Sequence, residues 1–216
     1  MTDPALPPCA PQFETATQQR QASMLGMWIF LSTEILLFGG AILCYAIYRM
    51  QHPAAFIAAG RHTLLLAGTV NTAVLLFSSY LVARAVQHIE AGARTAVTRL
   101  LGFAAALGAV FLTIKGFEYA HEIHEGLFPG PAFRIDGIDP SAQQMFFVLY
   151  FTLTALHAVH VAIGMLALTV CAWKVHLAPA PRRLSTTVDV IGLYWHLVDI
   201  IWVFLFPLFY LLGRSS

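Results

Sequence analysis

The sequence predicts an all-α membrane protein: a five-transmembrane-helix bundle with the N-terminus cytoplasmic and the C-terminus periplasmic. Three observations carry this. The 216 residues are 58% hydrophobic and 11% charged, with mean hydropathy +0.72, whereas a soluble domain carries about 25% charged residues. The apolar runs extend for about 20 residues or more, the length a helix needs to cross a bilayer, and lack the alternating ten-residue segments of a barrel. Basic residues concentrate in alternate connections, which sets the orientation.

Residues 1–22 are polar and proline-rich, without the basic start and apolar core of a signal peptide, and read as a disordered cytoplasmic tail. Residues 23–213 form the bundle, with spans at about 23–49, 62–88, 98–125, 140–173 and 185–212. The first span is one long apolar run holding a single acid, Glu34. A short loop, QHPAAFIAAGRH, leads to the second, which contains Asn71, Ser78 and Ser79 and ends near Arg84. In the third, a short apolar run continues into KGFEYAHEIHEG, where Lys115, Glu118 and Glu122 share one face at i, i+3 and i+7. The expectation is a solvated helix end and docking surface, stopped by Gly126 at C′ and then Pro129. The loop that follows carries turn signals at Pro129–Gly130–Pro131 and Asp136–Gly137. Asp139–Pro140 supplies an N-cap and a first-turn proline for the fourth helix, which holds His157 and His160. A basic loop, KVHLAPAPRRLSTT, precedes the last span with His196 and Asp199.

With the N-terminus inside, Arg20, Arg84, Arg94, Arg99, Lys174, Arg182 and Arg183 are cytoplasmic. Arg49, Arg61, Lys115, Arg134 and Arg214 lie outside, a modest bias in the expected direction. A net charge of +1 gives no reason to expect nucleic acid. Cys9, Cys44 and Cys171 lack disulfide or zinc spacing.

Counting helix rise from the cytoplasmic ends places Glu34, His157, His160, His196 and Asp199 at roughly 17–24 Å, one intramembrane polar layer. An acid at such depth costs about 2.5–3.5 kcal/mol on insertion scales and faces protein in most cases. Glu34 reads either as a structural, lipid-contacting acid or as a proton-handling one, and His196 with Asp199 as a locally paired set. His121–His124 and His157–His160 repeat an HxxH spacing. The di-metal pattern, however, needs Glu-x-x-His on two helices, and only Glu118–His121 supplies it. His157 and His160 follow each other on one helix, so they do not trans-ligate one haem iron. A membrane b-type cytochrome is therefore the weaker reading, and histidines hydrogen-bonded across helices the stronger.

Five stretches together resemble subunit III of the haem–copper terminal oxidases: WIFLSTEILLFGG, NTAVLL, GFEYAHEIHEG, FFVLYFTLTALHAVHVAIG and YWHLVDIIWVFLFPLFYL. They occur in the family's order from Met24 onward, and the chain is similar to the short five-helix bacterial form of cytochrome c oxidase subunit III. Glu34 matches the family's membrane-embedded, carbodiimide-reactive glutamate. The sequence departs from the family's TGxHGxH, having alanines at Ala155 and Ala158, which would widen a helix contact.

The resemblance implies an accessory, non-catalytic subunit of a respiratory oxidase in the bacterial inner membrane. It would have no catalytic centre of its own and no cofactor in this chain, with haem and copper in partner subunits. Subunit I would be its direct partner, with subunit II and small subunits nearby. It would bind phospholipids and support proton uptake and the stability of subunit I. Asn71, Glu118 and Arg84 are candidate subunit or lipid contacts, and the GFEYAHEIHEG segment favours cytochrome c as donor. A quinol oxidase subunit III and the nitric-oxide-reductase-associated homologue remain as alternatives.

Overall fold

The computed structural model of the chain describes residues 12–130, 133, 139–211 and 213. It is helical: α1 Ala16–Gln51, α2 Pro53–Gly60, α3 Leu65–Glu90, α4 Arg94–His124, α5 Pro140–Leu177 and α6 Ser185–Phe206. Among the described residues, five helical stretches are long and apolar enough to cross a membrane. They are Ala16–Gln51, Leu65–Glu90, Arg94–His124, Pro140–Leu177 and Pro181–Leu211. Residues 1–11, the turn signals at Pro131 and Asp136–Gly137, and Arg134 and Arg214 lie outside the described residues.

The ends follow from local chemistry. α1 begins seven residues before the expected 23, because the Thr15 side chain accepts from the Gln18 N–H at 3.1 Å. The Ala, Gln and Arg residues that follow are good helix formers, so residues 16–22, expected as disordered tail, are helix. α1 ends at Gln51, and His52 caps it just before Pro53, which opens α2 at its first position. α4 closes at Gly126, whose φ of +77° fits the C′ role, with Leu127 N–H donating to the Glu122 carbonyl at 3.0 Å. Asp139 caps α5 by accepting from Ala142 N–H at 3.2 Å. Pro207 offers no N–H to continue α6, and the chain widens into a π-helical turn over Pro207–Leu211.

Helix α2 is an addition to the expected architecture. Its eight residues lie in a stretch that reads as loop, yet Phe56 and Ala59 are fully buried against α5. Phe56 packs edge-on to Phe146 and Tyr45, closing one end of the bundle with Phe209.

Helices α3 to α6 form the core, and α1 lies along α5 and α6 at the edge. Only 11% of α1's most apolar window is buried, against 50% for the last span. In lipid, packing and interhelical hydrogen bonds hold helices together. Trp195 shows both. Its ring lies between Gly108 of α4 and Gly164 of α5, where an added Cβ would come within 2.9 and 2.7 Å of it. Its Nε1–H donates to Ser78 Oγ at 3.2 Å, and Ser78 donates to the Ala104 carbonyl at 3.0 Å. Two turns later Trp202 donates to Thr72 Oγ1 at 3.0 Å. These two indoles join α6 to α3, α4 and α5.

Candidate functional site

The buried polar side chains fall into three groups, on different helix contacts. The largest is at the far end of α4 from its start. Lys115, Glu118 and Glu122 do share a face, but it is the inner one, with exposures of 3%, 1% and 1%. This corrects the expectation of a solvated helix end. What remains outside is Phe117, His121, His124 and Glu125.

Lys115 Nζ donates to Glu118 Oε2 at 3.1 Å, Tyr150 Oη at 3.0 Å and Tyr210 Oη at 2.9 Å. Both phenols pass the polarity on, donating to Glu118 Oε1 at 3.1 and 2.7 Å. The ammonium also sits about 5 Å from the ring centres of Tyr119 (5.0 Å) and Tyr150 (4.9 Å), and 5.6 Å from Trp202. Every donor and acceptor of the Lys115–Glu118 pair is thus matched, as a buried ion pair requires. Glu122 is different, since among the described residues neither carboxyl oxygen has a hydrogen-bond partner.

The second group is Glu34 of α1 with His160 of α5, joined by His160 Nε2 and Glu34 Oε2 at 3.0 Å. The other ring nitrogen, Nδ1, faces the Leu156 carbonyl at 2.8 Å. With a carbonyl on one side and a carboxyl oxygen on the other, the pair shares a proton between His160 Nε2 and Glu34 Oε2. Phe38 packs edge-on against the imidazole at 5.3 Å, and Tyr194 donates to the His160 carbonyl at 3.0 Å. Both side chains remain 12–13% exposed, toward the open face of α1.

The third is on α3 and α6. His196 Nδ1 meets Ser79 Oγ at 2.6 Å, so the partner of His196 is a serine 117 residues away in the chain; the expected pairing with Asp199 is replaced. Asp199 is buried beside them, its Oδ1 without a hydrogen-bond partner among the described residues. His196 also lines an open cleft of about 360 Å³ between α1, α3 and α6, with Met24, Gln87 and Asp189 at its walls.

The five members expected in one layer are therefore not one network. His157, although wholly buried, bonds to none of the others. It stacks on Trp202 at 5.3 Å, and both ring nitrogens are without a hydrogen-bond partner among the described residues. Asn71 is 0% exposed and Glu118 1%, so neither has surface to offer a partner subunit, and among the described residues both amide atoms of Asn71 are unpartnered. Arg84 is exposed and leans toward His88 at 3.5 Å. Among the described residues, no three His, Cys, Asp or Glu side chains converge to hold a metal ion. Sequence reasoning missed Tyr150, Tyr210, Ser79 and Trp202 as site members. Tyrosines inside apolar runs, whose hydroxyls need a polar partner when buried, were the available signal.

Comparison with known proteins agrees with this picture. The family profile of cytochrome c oxidase subunit III matches residues 13–214. Cytochrome c oxidase subunit 3 of Synechocystis is 30% identical over 193 residues, covering 88% of this chain and 75% of the relative. Cytochrome bo(3) ubiquinol oxidase subunit 3 of Pseudomonas aeruginosa is 29% identical over 192 residues, covering 88% and 85%. Probable quinol oxidase subunit 3 of Staphylococcus aureus is 27% identical over 204 residues, covering 93% and 94%. The relatives thus divide between two electron donors while sharing one subunit. The chain belongs to the cytochrome c oxidase subunit III family, and is a multi-pass membrane subunit III of a haem–copper respiratory oxidase.

Proposed function

We propose that the chain is the accessory, non-catalytic subunit III of a bacterial cytochrome c oxidase. It packs beside subunit I, with subunit II in the same complex, and stabilises the catalytic subunit while supporting its proton uptake. The N-terminus is cytoplasmic and the C-terminus periplasmic. The observation that carries this reading is the asymmetry of α1: an outer face of Leu25, Trp28, Ile29, Leu36 and Leu43, all at least half exposed, beside the Glu34–His160 pair. Such a face suits phospholipid and a neighbouring subunit, and the paired acid at its edge suits proton support rather than chemistry of its own. The donor reading is supported by the family profile and by the 30% identical cytochrome c oxidase relatives of Synechocystis and Thermostichus vulcanus.

The test is purification from membranes. The chain should co-migrate with a haem–copper subunit, and the complex should oxidise reduced cytochrome c. A chain that never co-migrates with such a subunit defeats the reading. Oxidation of quinol in place of cytochrome c would favour the second reading, a quinol oxidase subunit III, which the Pseudomonas and Staphylococcus relatives support.

A further inference from the structure

The chain has seven tyrosines, and the structure gives their hydroxyls different partners. Tyr45 and Tyr194 donate to backbone carbonyls, those of Leu208 at 2.8 Å and His160 at 3.0 Å, and Tyr119 pairs with the Thr154 hydroxyl. Tyr48 and Tyr80 are exposed. Among the described residues, Tyr150 and Tyr210 alone donate to a carboxylate, Glu118 Oε1, at 3.1 and 2.7 Å. The distinction is chemical. A phenol that loses an electron becomes a strong acid, so its proton needs a base within hydrogen-bond reach. A carboxylate is such a base, whereas a carbonyl or a hydroxyl is not. The Tyr210 contact has the length of a charge-assisted O–H···O⁻ bond.

Both phenols are 0% exposed, and Lys115 Nζ donates to both, so an oxygen that has given up its proton keeps a donor. The rings also form a series. Centres are 6.3 Å apart from Tyr119 to Tyr150, from Tyr150 to Tyr210 and from Tyr210 to Trp202. Tyr119 is half-buried, which makes it the outer member. Trp202 gives its Nε1–H to the Thr72 hydroxyl and lies 5.6 Å from the Lys115 ammonium, so positive charge does not settle there.

We propose that Tyr210 is a redox-active site, a buried one-electron donor that forms a neutral phenoxyl radical. A one-electron oxidant takes an electron from the ring, the O–H bond breaks, and the proton passes to Glu118 Oε1. The products are the phenoxyl radical, the Glu118 carboxylic acid and the oxidant reduced by one electron. Return of an electron, with the proton moving back from Glu118, restores the phenol. Tyr119 and Tyr150 relay the charge between the surface and Tyr210. The enclosed site needs no opening, because only an electron crosses. An oxygen-reducing complex exposes its subunits to oxidants of the peroxyl and hydroxyl radical class, and these are the electron acceptors the site serves. The inference rests on the chain being an oxidase subunit, not on which electron donor the oxidase uses.

The experiment uses the intact purified complex with 3-fluorotyrosine in place of Tyr210, whose fluorine splitting marks this radical among those of other subunits. Photogenerated tris(bipyridine)ruthenium(III) supplies the one-electron oxidant, and freeze-trapped samples are read by electron paramagnetic resonance. A fluorine-split phenoxyl signal should appear and last at least ten-fold longer than one from 3-fluorotyrosine in place of the exposed Tyr80. Glu118→Gln, which removes the base and keeps the size, should cut the yield at least ten-fold. Exchange into heavy water changes no side chain and tests the proton step without a variant; it should slow formation at least two-fold. Absence of a fluorine-split signal, equal lifetimes at the two positions, a yield that survives Glu118→Gln, or formation indifferent to heavy water overturns the site. Haem content and subunit co-migration, read on the same preparations, report failure of the oxidase assignment separately.

Discussion

The Lys115 cluster and the Glu34–His160 pair are the same kind of interaction in two environments. Each joins an acid and a base inside the bundle, at 3.1 and 3.0 Å. The first has side chains 4% and 0% exposed and is surrounded by Tyr150, Tyr210, Tyr119 and Trp202. The second has 12% and 13% exposure and stands where the least-buried helix meets the core. A fully enclosed pair cannot exchange a partner without leaving a bare charge in low dielectric, whereas a pair at an open edge can recruit lipid headgroups, water or a neighbouring subunit. The first therefore fixes structure, and the second is where the surroundings can act on the chain.

The largest effect should come from breaking the enclosed pair. Lys115→Met removes the one cation facing Glu118 and leaves two phenols without their donor. A buried acid stripped of its partner costs about 3–5 kcal/mol, enough to unfold a chain of ordinary stability. Recovery of the variant chain in the purified complex should fall to a small fraction of the wild type. Removing both charges, as in Lys115→Met with Glu118→Leu, should recover much of the loss. If the double variant is as damaged as the single one, the cluster's value lies in its hydrogen bonds and not in charge balance.

Glu34→Ala should do less to the fold and more to the complex's endurance. His160 keeps the Leu156 carbonyl and its contact with Phe38, so the loss is one charged hydrogen bond at an open edge, about 1–2 kcal/mol. Oxygen reduction should start at the wild-type rate, with a shorter lifetime of turnover or altered lipid retention. Immediate and complete loss of oxygen uptake in an intact complex would give Glu34 a direct part in the chemistry, and the contrast between the two regions would reverse.

How far these regions could be read in the sequence differs for a physical reason. Five spans were legible because each needs about twenty apolar residues, and nothing else in a chain looks like that. Helix α2 was not, since eight apolar residues beside a proline read equally well as loop. For Lys115, Glu118 and Glu122 the periodicity fixed a common face but carried no sign saying whether it turned inward. The sign is held by Tyr150 and Tyr210, 35 and 95 residues further on, whose hydroxyls make burial affordable. Depth counting did place Glu34 level with His160, and the structure joins them. It could not say that His157, one turn earlier, points to Trp202, because depth does not specify azimuth.

A smaller effect separates the acids within the enclosed cluster. Glu122→Gln keeps the side chain's size and breaks no hydrogen bond among the described residues, where neither oxygen has one. It should lie within about 0.5–1 kcal/mol of the wild type in thermal unfolding of the complex. Glu118→Gln, which weakens contacts to Lys115, Tyr150 and Tyr210 together, should cost about 1.5–3 kcal/mol. Equal costs at the two positions would mean that the contacts of Glu118 to Lys115, Tyr150 and Tyr210 add nothing beyond what any buried carboxyl there contributes.

The exposed limit of the series is Asp139 with His52, 2.9 Å apart and 37% and 41% exposed. The Ser141 hydroxyl, then the Ala142 N–H and finally His52 hold the Asp139 carboxyl below its ordinary value. A carboxyl lowered on folding contributes stability above its unfolded value, about 3.9, and loses it as pH falls through the folded one. Hydrogen exchange at the first turn of α5, residues 141–144, should therefore quicken below about pH 4. Asp139→Asn keeps an N-cap acceptor without a titrating group, so its exchange in that window should be flat. His52→Ala should keep most of the pH dependence, because Ser141 and Ala142 are the larger causes. If His52→Ala abolishes it, the ion pair rather than the cap sets the acid's behaviour. Exposure would then not order these three pairs, and the distinction between the enclosed cluster and the open edge would need a different basis.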